Sequence, residues 1–285
     1  MRQRDEPGRT LVMGIVNVTP DSFSDGGEFA STAAAVARGR ALLGDGADVI
    51  DVGGESTRPG AARVEPAEEL RRVVPVIREL SADGAVVSVD TTRAEVARAA
   101  VAAGATMVND VSGGLGDPAM VATVAELGVG YVAMHWRGPS AVMQRLSRYD
   151  DVVAEVADEL AQRRDSALAA GVAADRLILD PGIGFAKTAE QNWTLLARLA
   201  DLAALGCPLL VGVSRKRFLG ELLDSRPPKG RDDASVALTT VLAAEGVWGV
   251  RTHTVRAHAD AIAVVQRLRR EGLIGGAVGS ENGGE

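Results

Sequence analysis

A single cysteine, Cys207, excludes an intrachain disulfide, and with only His135, His253 and His258 beside it a Cys/His zinc centre lacks ligands. Any metal would have to be held by oxygen. Aromatic residues are scarce, 3 Trp, 2 Tyr and 4 Phe, and 31 Lys and Arg against 38 Asp and Glu leave a net charge of −7. A nucleic-acid binder needs a basic stripe or stacking rings, and this chain offers little of either. The first residues, Met1 to Pro7, contain no apolar core of the signal-peptide kind. The uncharged stretch Leu202–Ser214 contains Gly and Pro and falls short of the ~18–20 apolar residues that span a bilayer. The cytoplasm is the expected compartment.

The 46% hydrophobic and 24% charged content is that of a globular protein, and 285 residues can enclose a core of their own. Along the chain one unit repeats: a short run of Val, Ile and Leu, a polar or Gly-rich turn, then an Ala/Leu/Arg stretch of helical spacing. The runs are Leu11–Val16, Val49–Val52, Val86–Val89, Thr106–Val108, Val129–Ala133, Leu177–Leu179, Leu209–Val213 and Val247–Val250. Their spacing averages about 33 residues, the length of a strand–helix–strand crossover. Near-continuous apolar strands alternating with helices predict a parallel sheet covered by helices. Eight units predict a (β/α)8 TIM barrel, since doubly wound open sheets usually stop near six strands. The predicted organisation is an N-terminal tail over 1–10, one barrel domain over 11–272 and a flexible Gly-rich tail over 273–285. Long connections are expected at Thr19–Ser31 and Gly53–Pro66, after strands one and two, where loops of a barrel's active face lie.

Polar residues stand at the ends of these runs: Asn17, Asp90, Asn109–Asp110, Met134–His135, Asp180, Ser214-Arg215-Lys216 and Arg251-Thr252-His253. Closed into a barrel, these converge on one mouth. Asp90 could instead cap the helix after it. Asp90, Asn109 and Asp180 are acceptors suited to a heterocycle edge rich in N–H groups. Lys216, Arg251 and His253 lie after strands seven and eight, where barrels commonly hold phosphate, although Lys216 or Arg251 alone could be a surface ion pair. His135, with Trp136 and Arg137 next in the chain, reads as a packed histidine rather than a catalyst. Gly182-Ile-Gly-Phe-Ala-Lys-Thr188 imitates a phosphate loop, but Ala186 stands where glycine is needed before Lys187. Motifs for nicotinamide binding, zinc proteases and serine hydrolases are missing.

Several strings, however, are specific: Asn17-Val-Thr-Pro-Asp-Ser-Phe-Ser-Asp-Gly-Gly27, Gly53-Gly-Glu-Ser-Thr-Arg-Pro-Gly60, Ser88-Val-Asp-Thr91, Val108-Asn-Asp-Val-Ser-Gly113, Asp180-Pro-Gly-Ile-Gly-Phe185 and Ser214-Arg-Lys216. From about Leu11 to Val265 the chain resembles the bacterial dihydropteroate synthases of folate biosynthesis. That resemblance implies a cytoplasmic, homodimeric, sulfonamide-targeted transferase. It would join 6-hydroxymethyl-7,8-dihydropterin pyrophosphate to p-aminobenzoate, releasing pyrophosphate, with Mg2+. It implies a pterin bound by Asp90, Asn109, Asp180 and Lys216 and walled by Val111, Val132, Met134 and Gly212. Pyrophosphate would lie near Asn17, Thr57, Arg251 and His253, with Asn17 the Mg2+ ligand, Arg251 also over a pterin face and Thr252 a further substrate-binding residue. Aminobenzoate would enter between Phe185, Lys216 and two loops carrying Asp21, Ser22, Phe23, Asp25, Thr57, Arg58 and Pro59. Of these, Asp21, Ser22, Phe23, Asp25, Arg58 and Lys216 would serve the chemistry.

Two departures stand out: Thr254 replaces an aspartate frequent after the last strand, and Arg217 replaces the serine of some relatives. The first bears on how His253 is oriented, and the second shifts aminobenzoate carboxylate binding toward backbone N–H groups, with Arg217 as a helper. Competing readings are a pterin-dependent methyltransferase domain, which would not keep both loop strings, and a paralogue that binds pterin pyrophosphate without turnover.

Overall fold

The computed structural model describes residues 8–19, 27–55, 63–139 and 142–274. Eight strands alternate with helices: β1 (Leu11–Asn17), α1 (Gly27–Asp45), β2 (Val49–Gly53), α2 (Pro66–Ala82), β3 (Val87–Asp90), α3 (Ala94–Ala102), β4 (Met107–Asp110), α4 (Met120–Leu127), β5 (Gly130–Met134), α5 (Val152–Ala169) and β6 (Leu177–Asp180). After these come α6 (Ala189–Ala197), α7 (Leu199–Ala203), β7 (Leu210–Val211), α8 (Arg217–Leu222), α9 (Asp232–Ala244), β8 (Gly249–Thr252) and α10 (Arg256–Arg270). All neighbouring strands are parallel, in the order β6-β5-β4-β3-β2-β1-β8-β7. A parallel bridge from Leu179 to Leu209 closes the ring. The predicted barrel is thus the fold.

Both strand faces are covered, which is why the runs read as almost unbroken Val, Ile and Leu. Residues facing the helices, such as Val12, Ile50, Val52, Val87, Val89, Val108, Ala133 and Leu179, form the large core with Val73, Ile77, Leu80, Val124 and Leu160. Each Val, Ile or Leu among them contributes about 1.5–3 kcal/mol on burial. A second cluster, Met13, Val49, Met107, Val132, Ile178 and Leu210 with Trp248 against it, plugs the barrel's interior. Val132, expected as a pterin wall, is a fully buried part of this plug.

Three boundaries differ from the sequence reading. Arg9 and Thr10, expected in the N-terminal tail, are packed against the barrel: Arg9 pairs with Asp48 and the buried Thr10 hydroxyl donates to Val247 O at 2.7 Å. α1 begins at Gly27, so the first connection ends before Ser31. β7 is regular only at Leu210–Val211, because Pro208 has no N–H for the ladder and the chain turns beyond Val213 toward Lys216, whose N–H returns to Val213 O. The expected loop residues Asp21, Ser22, Phe23, Asp25, Thr57, Arg58 and Pro59, and most of the C-terminal tail, lie outside the described residues.

Candidate active site

Side chains at every second position of a strand share one face, so β2 sends Val49 and Asp51 inward while Ile50 and Val52 meet the helices. The same alternation aims Ser88 and Asp90 of β3, Asn109 of β4, Met134 of β5, Asp180 of β6 and Arg251 of β8 into the mouth above the apolar plug. Asp90, Asn109, Met134 and Asp180 are all under 8% exposed. Register explains their meeting: Asp90 is opposite Asn109, and Met134 opposite Asp180. Asp90 does not cap α3, whose cap position is Arg93 and whose first N–H groups include one donated to Asp117.

These groups form one charged network. Arg251 donates from Nε to Asp51 Oδ2 at 2.6 Å and from Nη2 to Asp90 Oδ2 at 2.7 Å, and Asn109 Nδ2 donates to the same Asp51 oxygen at 2.9 Å. Burial pushes the Asp90 carboxyl up to about 7, with Arg251 pulling the other way and Asp51 adding to the rise. Burial also raises Asp180, opposed chiefly by Lys216. Among the described residues, Asp51 Oδ1 and Ser88 Oγ, on directly paired positions of β2 and β3, are buried without a hydrogen-bond partner. Buried polar atoms of that kind call for a ligand or an enclosed water.

Lys216 stands at the cap position of α8, its Nζ donating to Ile183 O and lying 4.8 Å from the Phe185 ring centroid. Burial lowers its ammonium to about 8. Gly212 lies between Lys216 and Arg251, where a Cβ would make ordinary contacts at 3.7 Å from Lys216 Nζ and 3.7 Å from Arg251 Cβ. His253, half-buried at the rim, has Nδ1 3.0 Å from Ser214 Oγ, and its carbonyl accepts from Arg38 at 2.6 Å. A serine hydroxyl thus orients the imidazole, and among the described residues Thr254 Oγ1, next in the chain, has no hydrogen-bond partner.

Not every expected residue reaches the mouth. Thr252 is 1% exposed and faces the helix layer, its Oγ1 2.9 Å from His258 Nε2, so its side chain supports the wall and does not line the mouth. Strand alternation requires this once Arg251 points inward. Arg217, expected as a helper for the aminobenzoate carboxylate, is exposed and pairs with Glu221 one helical turn on. Of the cations expected after strands seven and eight, Arg251 also reaches down to the acceptor floor, where it pairs with Asp51 and Asp90. Asn17 ends β1 half-buried, and Val111 comes directly after β4, also half-buried.

Three contributors escaped the sequence reading. Asp51 had a signal, a carboxylate at an inward position of the buried run Val49–Val52, where an unpaired charge would be prohibitive. Arg93 had none: it donates to Glu55 at 2.9 Å and to Val64 O at 2.6 Å, tying both flanks of the second long loop to one side chain. Lys187 was set aside with the false phosphate loop, yet it lies buried directly behind the Asp180 turn.

The pterin binding enzyme family model matches residues 13–253. A dihydropteroate synthase of Mycobacterium leprae (strain TN) is 54% identical over 260 residues, 89% of this chain and 92% of the relative. Among solved structures, Xanthomonas albilineans dihydropteroate synthase with 4-aminobenzoic acid has a TM-score of 0.86 and 50% identity, covering 92% of this chain and 93% of that one. The same organism's enzyme in complex with 7,8-dihydropteroate has a TM-score of 0.83 and 47% identity, covering 92% and 94%. With its barrel matched almost from end to end by that family and by relatives identical at about half their positions, this chain belongs to the pterin-binding enzymes, among the dihydropteroate synthases.

Proposed function

We propose that the barrel mouth condenses 6-hydroxymethyl-7,8-dihydropterin pyrophosphate with p-aminobenzoate, and that the acceptor floor reads the pterin. The observation that carries this is the convergence of Asp90, Asn109 and Asp180 with Lys216 and Arg251 above one apolar plug. Pterin N–H groups would be held by the carboxylates and Asn109, while Val111, Met134 and Gly212 wall the ring and Arg251 stacks on its face. An arylamine is a weak nucleophile, so the C–O bond to pyrophosphate would ionise first and its electron pair leave with pyrophosphate. The pterin-stabilised methylene cation would then form its C–N bond to the amine, which gives up one proton. Lys216, Arg251 and His253 would stabilise the leaving charge, each such contact being worth ~3–4 kcal/mol. Asp21, Ser22, Phe23, Asp25, Thr57, Arg58 and Pro59 would exclude water and, with Phe185, complete the aminobenzoate pocket. A sulfonamide, sharing the aryl amine and an acidic group, would compete there.

Asn17 offers a neutral oxygen at the mouth, and among the described residues no three His, Cys, Asp or Glu converge on a metal-sized site. Such a set cannot cage Mg2+, but it fits an ion that arrives on the pyrophosphate, because Mg2+ keeps waters and is usually held by few protein groups plus substrate phosphates. When bound, the ion neutralises charge on the departing pyrophosphate, and Asn17 would hold it.

The assembly would be a homodimer. On the outer wall Val241 of α9 and Val264 of neighbouring α10 are each 57% exposed, with Ala237 one turn before Val241, and exposed apolar side chains so placed on adjacent helices call for cover. No helix among the described residues is long and apolar enough to cross a membrane, which suits the cytoplasmic setting that belongs to this reading.

Pyrophosphate release with purified protein, both substrates and Mg2+ tests the reaction. Turnover dependent on aminobenzoate supports it, whereas tight pterin binding without turnover would identify a non-catalytic paralogue. Light scattering on the parent and on Val241→Glu tests the dimer, and a monomeric parent would overturn it.

A further inference from the structure

The Lys187 ammonium is 2% exposed, and no carboxylate among the described residues touches it. Burying a cation is expensive unless its donors are satisfied. Here all three N–H groups have acceptors: Gly182 O at 3.2 Å, Phe185 O at 3.1 Å and His135 Nδ1 at 2.9 Å. The first two lie within the turn between β6 and α6 that carries Asp180 at one end and Phe185 at the other.

That turn is tight. Asp180 Oδ1 accepts from Gly182 N at 2.7 Å, and His135 N donates to Asp180 O at 2.8 Å. Gly182 has φ +64°, and a Cβ there would lie 2.4 Å from His135 O. Ala186, a non-glycine residue at φ 48°, precedes Lys187, and its carbonyl is held by Tyr149 Oη at 3.0 Å. Lys216 reaches Ile183 O from the opposite side. Carbonyls, not amides, therefore face the lysines, the reverse of a phosphate loop. Because His135 Nδ1 accepts from Lys187, its Nε2 carries the proton; Nε2 lies 3.0 Å from Glu159 Oε2, off the hydrogen-bond line, and Arg137 anchors that carboxylate at 2.6 Å.

We infer that Lys187 is a positioning residue of the pterin site: it clamps the Asp180–Phe185 turn from behind, so that Asp180 meets the ligand in a fixed rotamer. This rests on the assignment of Asp180 to the pterin. The clamp needs the charged ammonium to keep three donors. Asp180 from β6 and Glu159 from α5 favour that charge, while burial and the cations Lys216 and Arg137 oppose it and bring Lys187 down to about 7; His135 stays neutral, lowered to about 4 chiefly by burial.

A double-mutant cycle tests the coupling, with calorimetric binding of the dihydropterin pyrophosphate in the absence of aminobenzoate. In folded Lys187→Met we expect a dissociation constant raised at least 10-fold, with kcat at saturation reduced less than 3-fold. Asp180→Asn should weaken binding by itself, and adding Lys187→Met to it should cost less than a further 2-fold. Fully multiplicative losses, or parental affinity in folded Lys187→Met, would overturn the inference while leaving the pterin floor standing. Parental affinity in Asp180→Asn would overturn both. Should Lys187→Met fail to fold, Glu159→Gln at the partly exposed end of the chain provides the readout. Removing that carboxylate lets Lys187 lose its proton at lower pH, so the ratio of variant to parent dissociation constants should climb from about 1 at pH 6 to about 3 at pH 8. A flat ratio would refute the clamp.

Discussion

Arg251, on β8, holds Asp51 of β2 at 2.6 Å and Asp90 of β3 at 2.7 Å, so one guanidinium ties three strands together at the barrel mouth. Removing it would leave two buried carboxylates without their cation, and breaking a buried pair typically costs ~3–5 kcal/mol. Asp90, already raised to about 7, can relieve that strain by taking a proton. Arg251→Met should therefore lose the most stability at pH 8 and distinctly less at pH 5, as read by urea unfolding. Equal losses at both pH values would show that the carboxylates do not share the guanidinium in this way.

Asp90→Asn and Asp180→Asn each place N–H donors where the pterin also donates. The mismatch should weaken pterin binding by ~1–3 kcal/mol, or about 5- to 150-fold, with the fold intact. Calorimetry on both variants decides, and parental affinity in both would remove the carboxylates from the floor.

Catalytic efficiency should peak in a narrow range of pH. Below about 7 Asp90 takes a proton and one acceptor becomes a donor; above about 7 Lys187 loses the charge its clamp needs, and above about 8 Lys216 loses the charge that would face the leaving group. A plot of kcat/KM against pH should be bell-shaped between those values. Lys216→Arg should remove the upper part of the alkaline fall, near 8, without moving the acid limb, and an alkaline limb of unchanged shape would mean that Lys216 does not contribute to it.

His258 is buried between Thr239 Oγ1 at 2.7 Å and Thr252 Oγ1 at 2.9 Å, and burial lowers it to about 4. The unfolded chain, whose histidine titrates near 6.5, binds this proton first. Stability is then full above about 6.5 and falls as pH drops toward 4, with buried His135 acting in the same direction. The Tm of the parent should fall between pH 7 and pH 5, and fall less in His258→Gln; identical slopes would acquit His258.

Phe23→Ala and Asp25→Ala address the first loop string. If these side chains shield the cation and shape the aminobenzoate pocket, kcat should fall and aminobenzoate bind more weakly, while pterin affinity measured alone stays within about 2-fold. Normal turnover at saturation with a large loss of pterin affinity would move both residues into the ground-state pocket.

The sequence by itself determined the barrel, because a strand covered on both faces must be apolar throughout, and eight such runs at helical intervals leave few other architectures. It also marked Asp90, Asn109, Asp180, Lys216 and Arg251, since a polar residue at the end of each run lands on the same rim once the ring closes. What tertiary structure decided was direction and partnership. The two-residue alternation across β8 sends Arg251 inward and Thr252 outward, and a strand boundary misplaced by one residue would exchange them. Asp51 and Arg251 stand 200 residues apart in the chain, so nothing local announces that the charge in β2 is answered from β8. Lys187 shows the same limit from the other side. Its neighbours in sequence imitate a phosphate loop, and only the left-handed turns at Gly182 and Ala186 rotate carbonyls, not amides, toward its ammonium.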